Sequence, residues 1–162
     1  RAVLGTTAGW PRLHMLDSTD PGAVRAVATT PARTLFLLAS KSGTTIEPNS
    51  LAAHFQRTLA DAGITKWADH FVAITDEGTE LARRASAEQF RETFINPTDI
   101  GGRFSALSFF GIVPSALMGQ DVEALVHWGL AMLEDARLKP EDPVGNPAVG
   151  LGLLMGAGAR AG

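Results

Sequence analysis

The sequence predicts a three-layer α/β/α fold, with a doubly wound and mostly parallel sheet covered by helices on both faces. Two observations predict it. Short apolar runs alternate with longer stretches of helical periodicity, and the runs are rich enough in buried-type residues to suit parallel strands. Each run is also followed by turn or helix-start residues, the βα rhythm that forms right-handed crossovers. The 162 residues are 45% apolar and 19% charged, which suits one compact domain, over residues 1–162, with a packed core.

The four runs are residues 13–16, 35–39, 71–75 and 93–95, each expected to be a strand. After the first, Asp20 can cap a short helix and Pro21 can fill its first turn, where no amide hydrogen is needed. After the second, Leu51, Phe55 and Leu59 recur every four residues on one helix face, and Gly63 supplies a stop. After the third, a helix is expected to begin near Asp76 and Glu77, to carry Leu81 and Ala85 one turn apart, and to end before Phe90. Beyond the fourth, residues 107–118 and 122–133 read as two apolar helices and residues 139–143 as a loop. Asn146 and Pro147 open a last helix, rich in Gly, Ala and Leu.

Composition narrows the partners. A net charge of −3 without a clustered basic face argues against nucleic acid. No stretch approaches the roughly 18 uncharged apolar residues of a membrane span. The absence of cysteine removes disulfides and thiolate metal sites and points to a cytoplasmic origin. The four histidines, His14, His54, His70 and His127, share no spacing with one another or with a carboxylate pair that would signal a metal site, so they read as solvent-facing or packing residues. No cofactor is expected. Asp17 suits capping or a turn, and no serine sits in a Gly-x-Ser-x-Gly elbow, which argues against acyl transfer.

Two segments carry chemistry. Ser40-Lys41-Ser42-Gly43-Thr44-Thr45 leaves a strand and enters a helix, with four hydroxyls and one cation around a glycine. Amides at a helix start, close backbone approach at glycine and hydroxyl donors together suit a phosphate monoester. In a plainer reading, Thr44 or Thr45 merely caps the helix. The spacing is not that of a Walker A loop, which argues against ATP chemistry. The second segment, Gly101-Gly102-Arg103-Phe104-Ser105, follows the fourth run and would bring an arginine to the same crest of the sheet. A fixed guanidinium there can stabilise a developing oxyanion, or else pair with Asp99.

At these two loops the sequence resembles glucose-6-phosphate isomerases: Ser-Lys-Ser-Gly-Thr-Thr-Ile-Glu is similar to their phosphate loop, and Ile-Gly-Gly-Arg-Phe-Ser to their arginine loop. Leu-Asp-Ser-Thr-Asp-Pro from Leu16 and Phe-Phe-Gly-Ile-Val-Pro-Ser-Ala-Leu-Met-Gly from Phe109 resemble the form fused to transaldolase in some bacterial proteins. The resemblance implies a sugar isomerase (SIS) type domain with flavodoxin-like strand order. It implies that Ser40, Lys41, Ser42, Thr44 and Thr45 hold the phosphate of glucose 6-phosphate or fructose 6-phosphate. Gly102 and Arg103 would lie beside C1 and C2 of the sugar, where Arg103 stabilises an enediol(ate). The family's glutamate base, ring-opening histidine and late lysine have no counterpart in these residues, and Glu47 does not occupy the base position. The expectation is therefore an inactive piece of a longer isomerase, whose apolar final helix meets a second lobe or a second copy. The rival expectation is a phosphosugar sensor of the same fold that does no chemistry.

Overall fold

The computed structural model describes residues 7–27, 30–138, 142 and 144–161. They contain three strands and six α-helices in the order α1 (Pro21–Val27), β1 (Phe36–Ala39), α2 (Ile46–Asp61), β2 (Phe71–Asp76), α3 (Glu80–Ala87), β3 (Glu92–Asn96), α4 (Phe109–Leu117), α5 (Val122–Leu138) and α6 (Pro147–Ala161). The α/β fold class expected from the sequence is the one observed. The strands pair in parallel in the order β1-β2-β3, with Phe36 opposite Phe71 and Val72 opposite Glu92.

Helices cover both faces of the sheet, because residues that alternate along a strand point to opposite sides. On one face Leu38, Phe71 and Ala73 pack with Ala52, Phe55 and Leu59 of α2 and Leu81 and Ala85 of α3. The periodicity that predicted α2 is thus the face it buries. On the other face α4 packs against β2 and β3, and Phe94 meets Phe109 with ring centroids 5.3 Å apart. β2 is buried along its whole length.

Several element expectations are corrected. Residues 13–16 form no strand: His14 and Met15 are exposed, and Leu16 alone of the run packs on the core, so there is no alternating face for a sheet to cover. α3 starts at Glu80 rather than near Asp76, because Asp76 completes β2 and Thr79 takes the cap, accepting a hydrogen bond from the Ala82 amide at 3.2 Å. The single helix expected over residues 107–118 is divided by Ser108, whose hydroxyl caps α4 after a 3₁₀ turn at Gly102–Leu107. α5 runs on to Leu138, past the expected end, through helix formers such as Glu134, Ala136 and Arg137. The loop expected over 139–143 lies outside the described residues except Asp142.

The chain divides into two compact units, Arg1–Gln120 and Asp121–Gly162. The first holds the sheet. In the second, α5 and α6 pack on each other, and Asn146 joins them: its side-chain amide donates to the Ala136 carbonyl at 3.0 Å, while its Oδ1 accepts from the Ala148 and Val149 amides.

Candidate functional site

Strand β1 ends at Ala39 and the chain enters the turn that leads to α2, so residues 40–45 lie at the carboxyl end of the sheet, where ligands of such sheets bind. The turn is anchored on the neighbouring strand: the Ser40 amide donates to the Ile74 carbonyl at 3.0 Å and the Asp76 amide to the Lys41 carbonyl at 3.4 Å. Gly43 adopts φ +74°, and a Cβ placed there would stand 2.6 Å from the Leu81 amide nitrogen. Only glycine fits, and for two reasons, a left-handed backbone and a helix pressed against it.

The hydroxyls of the turn organise one another. Ser40 Oγ lies 3.1 Å from Thr45 Oγ1 and accepts from the Gly43 amide at 3.1 Å, while Ser42 Oγ lies 3.1 Å from Thr44 Oγ1. Ser40 is buried and Ser42, Thr44 and Thr45 are exposed. Asn49 holds the turn from the helix side, donating to the carbonyls of Gly43 and Thr45 at 3.1 and 3.0 Å.

The plainer reading of these threonines as caps fails on geometry. Thr45 occupies the cap position of α2, yet its side chain makes no capping hydrogen bond. Asp20, Thr79, Ser108 and Asn146 do cap α1, α3, α4 and α6. The first-turn amides of a helix have no intrahelical carbonyl to bond. In the first turn of α2 Pro48 carries no amide hydrogen and the Asn49 amide donates to the Thr45 carbonyl at 3.4 Å, so the amides of Ile46 and Glu47 are the ones left without an intrahelical carbonyl, and they present partial positive charge at this end of the helix.

Beside this turn lies an open cavity of about 480 Å³, lined by Lys41, Ser42, Thr45, Asp76, Glu77, Thr79 and Thr98. Its lining carries one cation against two carboxylates. The cation is already engaged, since the Lys41 ammonium pairs with Asp76 Oδ2 and donates to the Thr98 carbonyl at 3.1 Å. The ammonium is thus less available to a ligand than the amides and hydroxyls of the turn.

Gly102 and Arg103 follow β3 at the same end of the sheet, in the 3₁₀ turn before α4. Because β2 separates β1 from β3, the strand ends from which the two loops leave are two strand spacings apart, about 10 Å. Arg103 is exposed, its guanidinium is 6.0 Å from the Phe104 ring centroid, and it is not part of the cavity lining. Through Lys41 and the Thr98 carbonyl, the first segment touches the turn that leads from β3 to the second. Glu47 and Asp17 are exposed and outside the cavity lining. His14, His54 and His127 face solvent, and His70 Nδ1 lies 2.9 Å from the Thr34 carbonyl. No group of metal-ligating side chains occurs among the described residues.

Sequence reasoning missed Asp76, Thr79 and Thr98. For Asp76 a signal existed, since a carboxylate directly after the apolar run of residues 71–75 sits at the ligand-binding end of a parallel strand.

Fold and site together define an α/β protein with a helix start that lacks a side-chain cap and two pairs of hydroxyls at the carboxyl end of a parallel sheet. The proteins most informative about it are glucose-6-phosphate isomerases. That of Trichormus variabilis is 37% identical over 146 residues, which is 88% of this chain and 27% of the relative, and that of Cyanothece is 34% identical over 145 residues. No family model matches. Among solved structures, a protein described as hypothetical from Thermus thermophilus superposes with a TM-score of 0.79 at 32% identity, over 90% of this chain and 35% of that one. A glucose-6-phosphate isomerase from Chlamydia trachomatis superposes with a TM-score of 0.63 at 31% identity, over 72% of this chain and 23% of its own. The chain is thus similar to one segment of these isomerases, and it spans about a quarter of the length of the curated relatives it matches.

Proposed function

We propose that this chain is the phosphosugar-binding part of an aldose–ketose isomerase that interconverts glucose 6-phosphate and fructose 6-phosphate. The observation that carries the proposal is the start of α2: Thr45 at its cap position makes no side-chain capping hydrogen bond, which leaves the Ile46 and Glu47 amides to a ligand, and the hydroxyls of Ser42, Thr44 and Thr45 lie exposed in the turn that leads from β1 into it. Such a start is a ready anion site, because the amides point outward and the helix dipole favours negative charge. The similarity to isomerase segments supports a sugar phosphate as the anion.

In this reading Ser40, Ser42, Thr44 and Thr45, with the backbone about Gly43, hold the phosphate. Gly102 and Arg103 approach C1 and C2 once the sugar bridges the two loops, and the Arg103 guanidinium stabilises the enediol(ate) as it forms. A guanidinium keeps its charge and gives up no proton, so it acts electrostatically. The proton transfer between C1 and C2 needs a general acid and base, which contribute about 10²- to 10⁴-fold each. Those groups belong to further parts of the enzyme, and the same holds for a fused transaldolase.

Titration of the chain with glucose 6-phosphate, fructose 6-phosphate and inorganic phosphate, followed by backbone amide shifts, tests the reading. Shifts at residues 40–46 and 101–104 are expected, with loss of those at 40–46 in a Ser42→Ala, Thr45→Ala variant. The chain alone should turn over neither sugar phosphate faster than a blank. Shifts that persist in the double variant would place the anion elsewhere.

A further inference from the structure

Lys41 sits in the phosphate turn, but its contacts run inward across the sheet. Its ammonium pairs with Asp76 and donates to the Thr98 carbonyl at 3.1 Å, while its own carbonyl accepts from the Asp76 amide and the Thr75 hydroxyl at 3.4 Å each. Asp76 ends β2 and is 7% exposed. Its register partner is Asn96, the last residue of β3 and 3% exposed. Asn96 Oδ1 in turn accepts from the Phe109 amide at 2.9 Å, at the start of α4. Lys41, Asp76, Asn96 and Phe109 thus lie across all three strand ends, with Asp76 and Asn96 joined by strand pairing and not by a side-chain hydrogen bond.

Two further atoms mark this line. Asp76 Oδ1 and Asn96 Nδ2 are the buried side-chain atoms without a hydrogen-bond partner among the described residues, an acceptor and a donor on paired positions. A buried carboxylate is costly unless paired, and Lys41 is the cation that pairs it. A Lys41 that left Asp76 for a ligand phosphate would strand that carboxylate, with Glu77 lining the same cavity.

We propose that Lys41, Asp76 and Asn96 form a strut across the strand ends, in which Asp76 is a positioning residue that holds the loop after β3 against the phosphate turn, and in which Lys41 serves the strut rather than the phosphate. As a role in the ligand site this rests on the phosphosugar reading above. As a part of the fold it does not.

Asp76→Asn is close to isosteric and removes the charge that holds Lys41, while Lys41→Met keeps the length of the side chain without its charge. In the unliganded chain, either variant should speed amide exchange at Phe104 and Phe109 by about tenfold while Leu59 and Leu81 keep their protection, since local opening is set by local contacts. Lys41→Met carries the test if Asp76→Asn does not fold. Unchanged exchange at Phe104 and Phe109 in both variants overturns the strut. So does a Lys41→Met chain that loses phosphate by more than about tenfold while Asp76→Asn gains affinity, the pattern of a lysine that touches the anion. A parent chain that ignores phosphate, with variants that still exchange faster, would retire the anion reading and leave the strut standing.

Discussion

Between β1 and α4, strands and helices bury Leu59, Phe71, Ala73, Ile74 and Leu81 almost completely, whereas α5 and α6 leave Trp128, Leu151, Leu154 and Met155 more than half exposed. Both regions are apolar in sequence. The difference lies in what each apolar face finds to pack against. In the first unit a sheet offers two flat faces, and α2, α3 and α4 each lay a stripe on one of them. In the second unit two helices share one seam, which cannot cover the remaining sides of either, and the described residue most deeply buried there is polar, Asn146. Apolar composition is therefore a measure of a core only where the architecture can use it.

That contrast can be broken by mutation. The largest effect is expected at Phe71→Ala, which should cost about 3–5 kcal/mol in urea unfolding, because it removes a ring 1% exposed that stacks on Phe36 and meets Trp67 and Phe90. Leu154→Ala in the second unit should stay within about 0.5 kcal/mol, and a loss comparable to that of Phe71 would show that the exposed face of α6 is covered in solution. Gly43→Ala comes next. The left-handed backbone alone costs about 1–2 kcal/mol for a residue with a Cβ, and contact with the Leu81 amide adds to it, so both thermal stability and phosphate binding should fall. A smaller loss than at Gly43 is expected at Asn146→Ala, about 1 kcal/mol, read as faster amide exchange at Ala148 and Val149 with the sheet unaffected. Exchange that rose in β2 as well would tie the two units into one cooperative transition.

Much of this fold was legible because local signals and tertiary demands agree. The four-residue spacing of Leu51, Phe55 and Leu59 marks the buried face of α2, and Asp20-Pro21 and Asn146-Pro147 mark helix starts. Residues 13–16 misled because a short apolar run has no period of its own, and only a partner strand can make it β structure. Asp76 misled differently. An acidic residue after a strand looks like a helix start, yet its depth in the sheet and its pairing with Lys41 depend on contacts between residues far apart in sequence. Of the residues expected at the site, those at 40–45 form a turn at the carboxyl end of β1 with Gly43 at φ +74°, and Arg103 is not among the residues that line the cavity.

The parallel pairing of β1 with β2 has a kinetic meaning as well. Phe36 meets Phe71 only after α2 has been spanned, so no hairpin can template the sheet, and its assembly must close long loops before any strand contact forms. The turn of residues 40–45 is fastened to that late event through the bond from the Ser40 amide to the Ile74 carbonyl. An anion that recognises the finished turn has nothing to grip in the early chain, so it should leave the rate of folding alone and slow the rate of unfolding.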